Sequence, residues 1–445
     1  MTTKLIRFTQ RATQEPGTRF NALMGLLAEP EGLRESFQRQ PGNKAPGVDG
    51  MRKQEYARGA EDRLEQLSSA LRRMGHVPKP VRRVYIPKAA GGRRPLGVPS
   101  FEDRIVQDRL SRILQAIWEP EFRDCSYGFR PGRNAHQALA RLGQIVTQHG
   151  TQWVVEADIK GFFDHVSHEH LMAFLAHRIA DQKLLRVVRR FLKAGVLEDG
   201  EFSDTEAGTP QGGLVSPVLA NVYLHYVLDL WFEKRYARTC RGAAHLVRYA
   251  DDFVACFENE QDAKRFLPEL TQRLGQFSLQ AEPAKTSVLR FGAHALWGCR
   301  RDGRARPQSF NFLGFTHYVR RTRGGRFALG RKTQRQRFGR KLQELGRRLA
   351  ALRSQGGKAM MSYVRRHLAG HMQYYAVCGN SRSLRSYVFR AGRLLFKWLN
   401  RRSQRRSITW ARFAPVLRAV VPPLRILHSL IPPPLPMTRT GSRMV

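Results

Sequence analysis

The sequence has few of the features that mark disulfide-bonded, secreted or membrane-spanning proteins. Its 445 residues include only 5 cysteines, which are scattered and form no C-x-x-C pair. We therefore expect neither a disulfide framework nor a zinc knuckle, and a reducing compartment fits this usage. No uninterrupted apolar run approaches the roughly 18 residues that a bilayer span needs. The N-terminus also lacks an apolar core of signal-peptide length, so we expect no membrane partner.

Acidic residues are also scarce. The chain holds 36 Asp and Glu against 77 Lys and Arg, which gives a formal charge of +41 and a pI near 11.3. Such an imbalance implies a polyanionic partner, and nucleic acid is the commonest one. The apolar fraction of 42% is ordinary for a globular protein, so the chain can build sizeable cores.

The length favours two or three domains, and the composition changes along the chain. We predict an N-terminal extension of short helices over residues 1–75, broken by the loop PGNKAPGVDG, and a mixed region of strands and helices over 76–320. Residues 321–412 should form basic helices, because apolar residues recur there at helical spacing. A Pro-rich basic tail over 413–445 is a candidate DNA-binding segment, and its stretch PPLRILHSLIPPPLPMTRTGSRMV should be irregular. The predicted fold class is α+β.

Charge separates the basic helical region from the rest. From Arg320 to Arg412 the sequence has 26 Lys and Arg, and Glu344 is both the only acid there and the last acid of the chain. Regular apolar spacing in this stretch indicates folded basic helices and not a disordered charged tail.

Two acidic stretches stand out within this basic chain. WVVEAD predicts a strand that ends at Asp158, and RYADDF places Asp251 beside Asp252. Adjacent carboxylates repel each other unless a cation lies between them. Together the two stretches could hold two divalent cations about 3.5–4 Å apart, which assist an in-line phosphoryl displacement. Mg²⁺ is the expected ion, with Mn²⁺ as the alternative. Taken alone, each stretch is more often a cap, an ion pair or turn chemistry.

The order of motifs around these stretches resembles that of reverse transcriptases, and in particular the group II intron branch. NKAPGVDG upstream and GHMQYYAV with WLNRRSQRRS downstream resemble that branch and its maturase region, so that the resemblance covers roughly residues 35 to 410. It implies a right-hand polymerase with fingers, palm and a basic helical thumb. The motifs that carry it are VYIPKAAGGRRPLGVPSFEDRIVQ, ADIKGFFD, GTPQGGLVSPVLANVYL, YADD, AEPAKT and FLGF.

The resemblance assigns roles to individual residues. It implies a catalytic centre at Asp158, Asp251 and Asp252, with Ile159 as a further metal contact. Phe163 would meet the ribose 2′ position and favour deoxynucleotides, although core packing is the alternative for this residue. The remaining nucleotide-binding residues that the resemblance implies are Lys88, Arg94, Gln211 and Lys285.

The primer contacts follow from the same resemblance, and the RNA contacts are expected in the basic helical region. Leu313 and Gly314 match a primer grip, in which a tight turn lets the backbone approach the primer end. Tyr374 and Tyr375 could stack on RNA bases, with helix core as the alternative for at least one of them. The basic residues expected to contact RNA are Arg365, Arg366, Arg401 and Arg402.

The expected function is therefore RNA-directed DNA polymerisation combined with maturation of a group II intron. The expected partners are the intron RNA, a DNA target and primer, and dNTPs, with no obligate protein partner. We expect a cytoplasmic, nucleoid-associated bacterial protein. An organellar one is the alternative, since the N-terminus is acid-free up to Glu15.

Two alternatives concern the function itself. One is a splicing-only maturase with a relic polymerase site. Another is a reverse transcriptase of a defence, CRISPR or diversity-generating system. No endonuclease activity is expected, because the segment after Arg412 holds a single histidine, His428, and neither cysteine nor acid.

Overall fold

The structure, a computed structural model, describes residues 3–87, 92–198, 200–204, 207–209, 212–301, 303–401 and 408–430. Lys88, Gln211 and Arg402 lie outside the described residues, as does the side chain of Arg94. Mixed helices and strands fill these ranges, as an α+β fold requires.

The helices and strands follow one another along the chain as the composition suggests, with strands concentrated in the middle. The helices are α1 (Thr3–Gln14), α2 (Leu23–Leu27), α3 (Pro30–Arg39), α4 (Lys53–Ala57), α5 (Ala60–Arg72), α6 (Phe101–Trp118), α7 (Ala135–Gln148), α8 (Phe162–His165), α9 (His168–Ala176), α10 (Gln182–Leu192), α11 (Ser216–Leu224), α12 (Glu260–Gly275), α13 (Ala295–Arg301), α14 (Arg335–Ala351), α15 (Gly357–Tyr375), α16 (Ser381–Asn400) and α17 (Trp410–Val420). The strands are β1 (Val81–Pro87), β2 (Arg93–Val98), β3 (Trp153–Asp158), β4 (Val196–Glu198), β5 (Glu201–Ser203), β6 (Ala244–Tyr249), β7 (Asp252–Phe257), β8 (Ser287–Arg290), β9 (Ser309–Phe312), β10 (Phe315–Arg321) and β11 (Phe327–Thr333).

The central sheet has the strand order β6-β7-β3-β8, and its neighbouring strands are antiparallel. Its middle strands are apolar on both faces, because helices cover one side and a second layer covers the other. Val155 and Ala255 belong to the core on one face, and Val154 and Val254 belong to the core on the other. This alternation follows from the two-residue period of a strand. The two smaller sheets have the orders β2-β1-β4-β5 and β11-β10-β9.

Three apolar cores organise the chain. The first runs from Leu5 to Leu279 and joins the N-terminal helices to one face of the central sheet. The second covers the other face and draws on residues from Tyr127 to Leu430. The third lies among the basic helices, between Leu345 and Val420. Among the described residues, no helix is long and apolar enough to cross a bilayer.

The expected domain boundaries do not all coincide with element ends. The boundary between residues 320 and 321 falls inside β10, so the change from strands to helices comes at Gln334, between β11 and α14. The prediction placed it too early because the basic composition already begins in the exposed β10–β11 turn.

The tail expected over residues 413–445 begins inside a helix. The expected boundary between residues 412 and 413 lies within α17. Farther along, His428 forms a parallel bridge with Val377, and its ring stacks on His136 with centroids 3.8 Å apart. Apolar residues explain both features, since Phe413 enters the third core and Leu430 the second.

Candidate active site

Two strand ends bring three carboxylates to one edge of the central sheet. Asp158 ends β3, Asp252 begins β7, and the two residues are partners in the antiparallel register. Asp251 lies in the turn between β6 and β7. All three line one cavity of about 260 Å³, together with Lys285 and Leu313. The acidic stretches, far apart in the sequence, thus share one site.

The proton affinity of this site is raised by burial and by mutual repulsion. Burial, together with the charges of Asp158 and Asp251, raises the pKa of Asp252 to about 7, although a hydrogen bond from the Leu313 backbone opposes the shift. Burial likewise raises the pKa of Glu156, which shares the cavity, to about 7. Carboxyl groups crowded in this way favour a cation among them.

Lys285 supplies one positive charge to the site. Its ammonium pairs with the carboxylate of Asp158, and this hydrogen bond is the main reason that the pKa of Lys285 is raised. The lysine ends the short 3₁₀ turn Pro283–Lys285, which is held in place because the Glu282 N–H donates to the Asp158 carbonyl at 2.8 Å. Both the side chain and the backbone of Asp158 therefore fix this segment.

A buried arginine organises the turn that carries Asp251. Arg248 and Asp229 are both 0% exposed and form an ion pair, in which Arg248 Nε donates to Asp229 Oδ1 at 2.7 Å. Arg248 Nη1 donates to Asn221 Oδ1 and to the Ala250 carbonyl, each at 3.0 Å. Asp229 ends a π-helical turn, His225–Asp229, that continues α11. The guanidinium thus connects α11 to the residue just before the acidic pair.

The same turn needs an unusual backbone conformation. Ala250 has a φ of +59°, a left-handed value that costs energy in a residue with a Cβ. Gly128 packs directly on it, since a Cβ on Gly128 would lie 2.3 Å from the Ala250 nitrogen. The hydrogen bond from Arg248 to the Ala250 carbonyl and this close approach together hold the strained turn.

The residues expected to form a primer grip lie over the carboxylates. Leu313 and Gly314 form the two-residue turn between β9 and β10, with φ values of +49° and +80°. Tyr374 Oη donates to the Leu313 carbonyl at 2.8 Å, and the Gln334 N–H donates to the Gly314 carbonyl at 3.0 Å. The turn is thus held from α15 and from the residue just before α14.

Phe163 lies at the start of the segment that follows Asp158. It is 8% exposed and packs edge-to-face on Phe162 with centroids 5.3 Å apart. Its carbonyl accepts from the Thr209 N–H at 2.7 Å. Ile159, expected as a further metal contact, is buried and bridges to Ala281. Phe163 is therefore largely a core residue that keeps a small exposed edge.

Among the residues expected to contact RNA, the arginines and the tyrosines differ. Arg365 and Arg366 are exposed on α15, and the exposed Arg401 lies 5.9 Å from the Trp398 ring. Tyr375 is 2% exposed and belongs to the second core, which agrees with the helix-core alternative given for at least one of the two tyrosines. Tyr374 is half-buried, and its hydroxyl already bonds to the Leu313 turn.

The oxygen donors at the sheet edge suit a divalent cation, although the protein forms no complete cage. Within the described part of the chain, no three His, Cys, Asp or Glu side chains are arranged to hold a metal ion by themselves. Mg²⁺ needs only one or two carboxylates, since water and phosphate oxygens complete its coordination. Asp158, Asp251 and Asp252 could supply such ligands, and a bound cation would neutralise the negative charge that, together with burial, raises the pKa of Asp252.

Sequence reasoning missed several residues that shape the site. Glu156 lies two residues before Asp158 on the same strand, and this spacing places both on one face. Arg248 and Asp229 each interrupt an apolar stretch, a signal that could have indicated a buried pair. Asn311 and Arg337 line the cavity, but no local pattern distinguishes them from ordinary polar residues.

Comparisons with known proteins agree with this geometry. Residues 86–317 match the family model described as reverse transcriptase (RNA-dependent DNA polymerase). The matched range includes the three carboxylates, Lys285 and the Leu313–Gly314 turn.

Individual relatives cover different parts of the chain. The group II intron-encoded protein LtrA of Lactococcus lactis subsp. cremoris is 36% identical over 302 residues, or 65% of this chain and 50% of LtrA. Protein YkfC of Escherichia coli strain K12 is 37% identical over 274 residues, or 55% of this chain and 72% of YkfC. Nuclear intron maturase 2, mitochondrial, of Arabidopsis thaliana is 28% identical over 240 residues. This chain thus spans half the length of LtrA.

Proposed function

Since the chain belongs to the reverse transcriptase (RNA-dependent DNA polymerase) family, we propose that it extends a DNA primer on an RNA template and acts as the maturase of a group II intron. The single observation that carries the polymerase proposal is the cross-strand pairing of Asp158 with Asp252, beside Asp251 and beneath the Leu313–Gly314 turn. The carboxylates and a backbone turn for a primer end share one cavity.

Each part of the site has a task in nucleotide addition. Asp158, Asp251 and Asp252 would hold Mg²⁺, which when bound stabilises the charge that develops on the transferred phosphate. The Leu313–Gly314 turn supports the primer end, because its backbone is held in place by hydrogen bonds from Tyr374 and Gln334. Lys285 lies beside Asp158, where its ammonium stabilises the departing pyrophosphate.

The polymerase proposal is tested by removing one carboxylate. Asp158→Asn or Asp251→Asn should reduce extension of oligo(dT) on poly(rA) by at least about 100-fold, since each removes a charged ligand from the site. RNA binding should stay within about twofold, because neither residue is a cationic phosphate contact. The matched control is Asp62→Asn on the exposed face of α5, which should extend primers normally. Undiminished extension by both site variants would contradict the proposal.

Phe163 is proposed as the residue that selects the sugar. Phe163→Val should raise incorporation of rNTPs relative to dNTPs, because a smaller side chain leaves room at the 2′ position. It should also cost about 1–3 kcal/mol of stability, since Phe163 packs on Phe162. The two effects are separated by the ratio of rNTP to dNTP incorporation at a temperature where the variant is folded. A loss of stability with an unchanged ratio would leave Phe163 with a core role only.

The maturase proposal rests on the basic helices and on the relatives. Arg365 and Arg366 are exposed on α15, and the formal charge of +41 suits a large structured RNA. LtrA is described as group II intron-encoded, and the Arabidopsis relative as an intron maturase. Splicing of a group II intron, measured with and without the protein, tests this part. A protein that extends primers but neither binds nor assists such an intron would instead serve another reverse-transcribing system.

A further inference from the structure

The far end of the β10–β11 hairpin forms a second concave site. Strand β10 begins directly after the Leu313–Gly314 turn. At the opposite end of the hairpin, β10 and β11 are joined by the exposed turn RRTRGGR over residues 320–326. A cavity of about 510 Å³ lies beneath that end, between the hairpin and α7. The residues that give it its polar character are Thr147, Gln148, Arg320, Thr322, Arg326 and Arg331.

Arg331 is the buried side chain of this site, and the fold holds it in place. It is 4% exposed, and its Nη2 donates to the Leu139 carbonyl on α7 at 2.9 Å. Gly143 makes room for it, since a Cβ there would lie 2.5 Å from Nη2. Its Nε is buried and has no hydrogen-bond partner among the described residues, and no carboxylate of that part of the chain influences its pKa.

A buried guanidinium without a carboxylate is costly. Burial lowers the pKa of Arg331 to about 10, with only a small opposing effect from Cys378. Arg320 and Arg326 add two more positive charges to the same cavity, and none of its described lining residues is acidic. An anion that entered this cavity would remove the imbalance.

We propose that this cavity, which we term the distal cleft, binds a backbone phosphate of structured RNA between Arg331 and the pair Arg320 and Arg326. Phosphate fits because arginine donates to it in a planar fork, and the Thr322 hydroxyl adds a further donor, whereas the Thr147 hydroxyl already donates to the Gly143 carbonyl. RNA is favoured over free phosphate because the cleft opens at a turn that carries four exposed arginines. The inference rests on the proposed RNA-binding function and assigns it a second surface.

Strand geometry supplies a matched pair of variants for the test. Arg320 and Arg326 line the cleft, whereas Arg321 and Arg323, in the same turn, do not. Arg320→Ala/Arg326→Ala and Arg321→Ala/Arg323→Ala therefore remove equal charge from equally exposed positions. Binding of a structured group II intron RNA is measured by filter retention at several salt concentrations.

The cleft variant should bind this RNA about tenfold more weakly, and its salt dependence should fall by about one released counterion for each lost phosphate contact. The control variant should lose no more than about threefold. Equal losses would show that the turn acts only as bulk charge and would overturn the proposal. If the wild-type protein binds no intron RNA at all, the proposed maturase function fails before the cleft is tested.

An experiment with inorganic phosphate distinguishes a phosphate of the RNA backbone from a free phosphate ion as the ligand of the distal cleft. At 10 mM, roughly the dissociation constant of a weak anion site, inorganic phosphate should displace little RNA from the wild-type protein. If instead phosphate at that concentration raises the melting temperature of the wild type but not that of Arg331→Met, while Arg331→Met binds RNA as tightly as the wild type, the cleft is assigned to a free phosphate ion and the RNA assignment is overturned. Arg331→Met should also reduce RNA affinity by about tenfold while its melting temperature stays close to that of the wild type.

Discussion

Two arginines on neighbouring sheets are both buried, and their surroundings differ in one respect. Arg248, next to the turn that carries Asp251, pairs with Asp229, and both side chains are 0% exposed. Arg331, in the distal cleft, is 4% exposed and has a backbone carbonyl as its partner. Burial acts to lower the pKa of Arg248, but the Asp229 carboxylate outweighs it and the pKa is raised, whereas burial lowers that of Arg331 to about 10.

The difference separates two uses of a buried charge. An arginine that pairs with an internal carboxylate has its charge neutralised within the fold. Its hydrogen bonds then serve to position other groups, here the Ala250 turn. An arginine without one keeps unsatisfied donors, which suits a site for an external anion. Burial does not distinguish these two roles, whereas the presence or absence of an internal counterion does.

The largest expected effect comes from breaking the internal pair. Arg248→Met should destabilise the protein by about 3–5 kcal/mol, because it leaves Asp229 buried without a partner. Primer extension should fall by about 100-fold, since the turn before Asp251 loses the donor to the Ala250 carbonyl. Denaturant unfolding and single-turnover extension measure the two losses.

A double variant separates stability from positioning. Arg248→Met/Asp229→Leu replaces both charges by apolar groups, and its stability should return to within about 1–2 kcal/mol of the wild type. Extension should stay low, because nothing then holds the Ala250 turn. Recovery of both properties together would show that the pair serves stability alone.

An intermediate effect is expected at the carboxylate beside that turn. The pKa of Asp252 is raised to about 7, so its contribution to stability is fully present below about pH 4 and is lost as the pH rises through about 7. Asp252→Asn does not ionise. In EDTA it should be more stable than the wild type by about 1–2 kcal/mol at pH 8, a figure below the full shift because the carboxyl group faces an open cavity. The difference should vanish near pH 4.

Melting temperatures from pH 4 to pH 8 check this prediction, and Mg²⁺ supplies its control. At pH 8, added Mg²⁺ should stabilise the wild type more than Asp252→Asn, since the variant has lost a charged ligand. A constant difference between the two proteins at every pH would instead mean that Asp252 titrates normally.

The smallest effect is expected at the second arginine. Arg331→Met should change the free energy of unfolding by no more than about 1 kcal/mol, because the lost hydrogen bond to Leu139 is offset by removal of an unpaired buried charge. Denaturant unfolding beside Arg248→Met gives the direct comparison. A loss as large as that of Arg248→Met would contradict the distinction between the two arginines.

Much of the carboxylate-bearing edge of the central sheet could be predicted from the sequence, because its residues lie in short ordered motifs. The strand ending at Asp158, the acidic pair at Asp251 and the tight turn at Leu313 each have a local signature. Their meeting in one cavity is a consequence of antiparallel register, which only the structure supplies.

Other features depend on contacts between distant segments. Arg248 was visible in RYADDF, but the sequence did not show which acid pairs with it. That acid is Asp229, and the pairing depends on how the helical segment after α11 packs against the central sheet. Tyr374 is far from Leu313 in the chain, and its hydroxyl meets the turn only because α15 packs against β10. The distal cleft likewise needs α7 to lie beside β11 before Arg331 becomes buried.

The positions of the core residues along the chain also determine the order in which the cores can form during synthesis. The first core ends at Leu279, so it can assemble while the rest of the chain is still being synthesised. The second core includes both Tyr127 and Leu430, and the isolated bridge between Val377 and His428 must wait for almost the last described residue. At about 5–20 residues per second, one face of the central sheet would lack its cover for roughly 8 to 30 seconds on the ribosome. During that interval the nascent protein has both acidic motifs but an unfinished apolar face, which is when a chaperone would bind it.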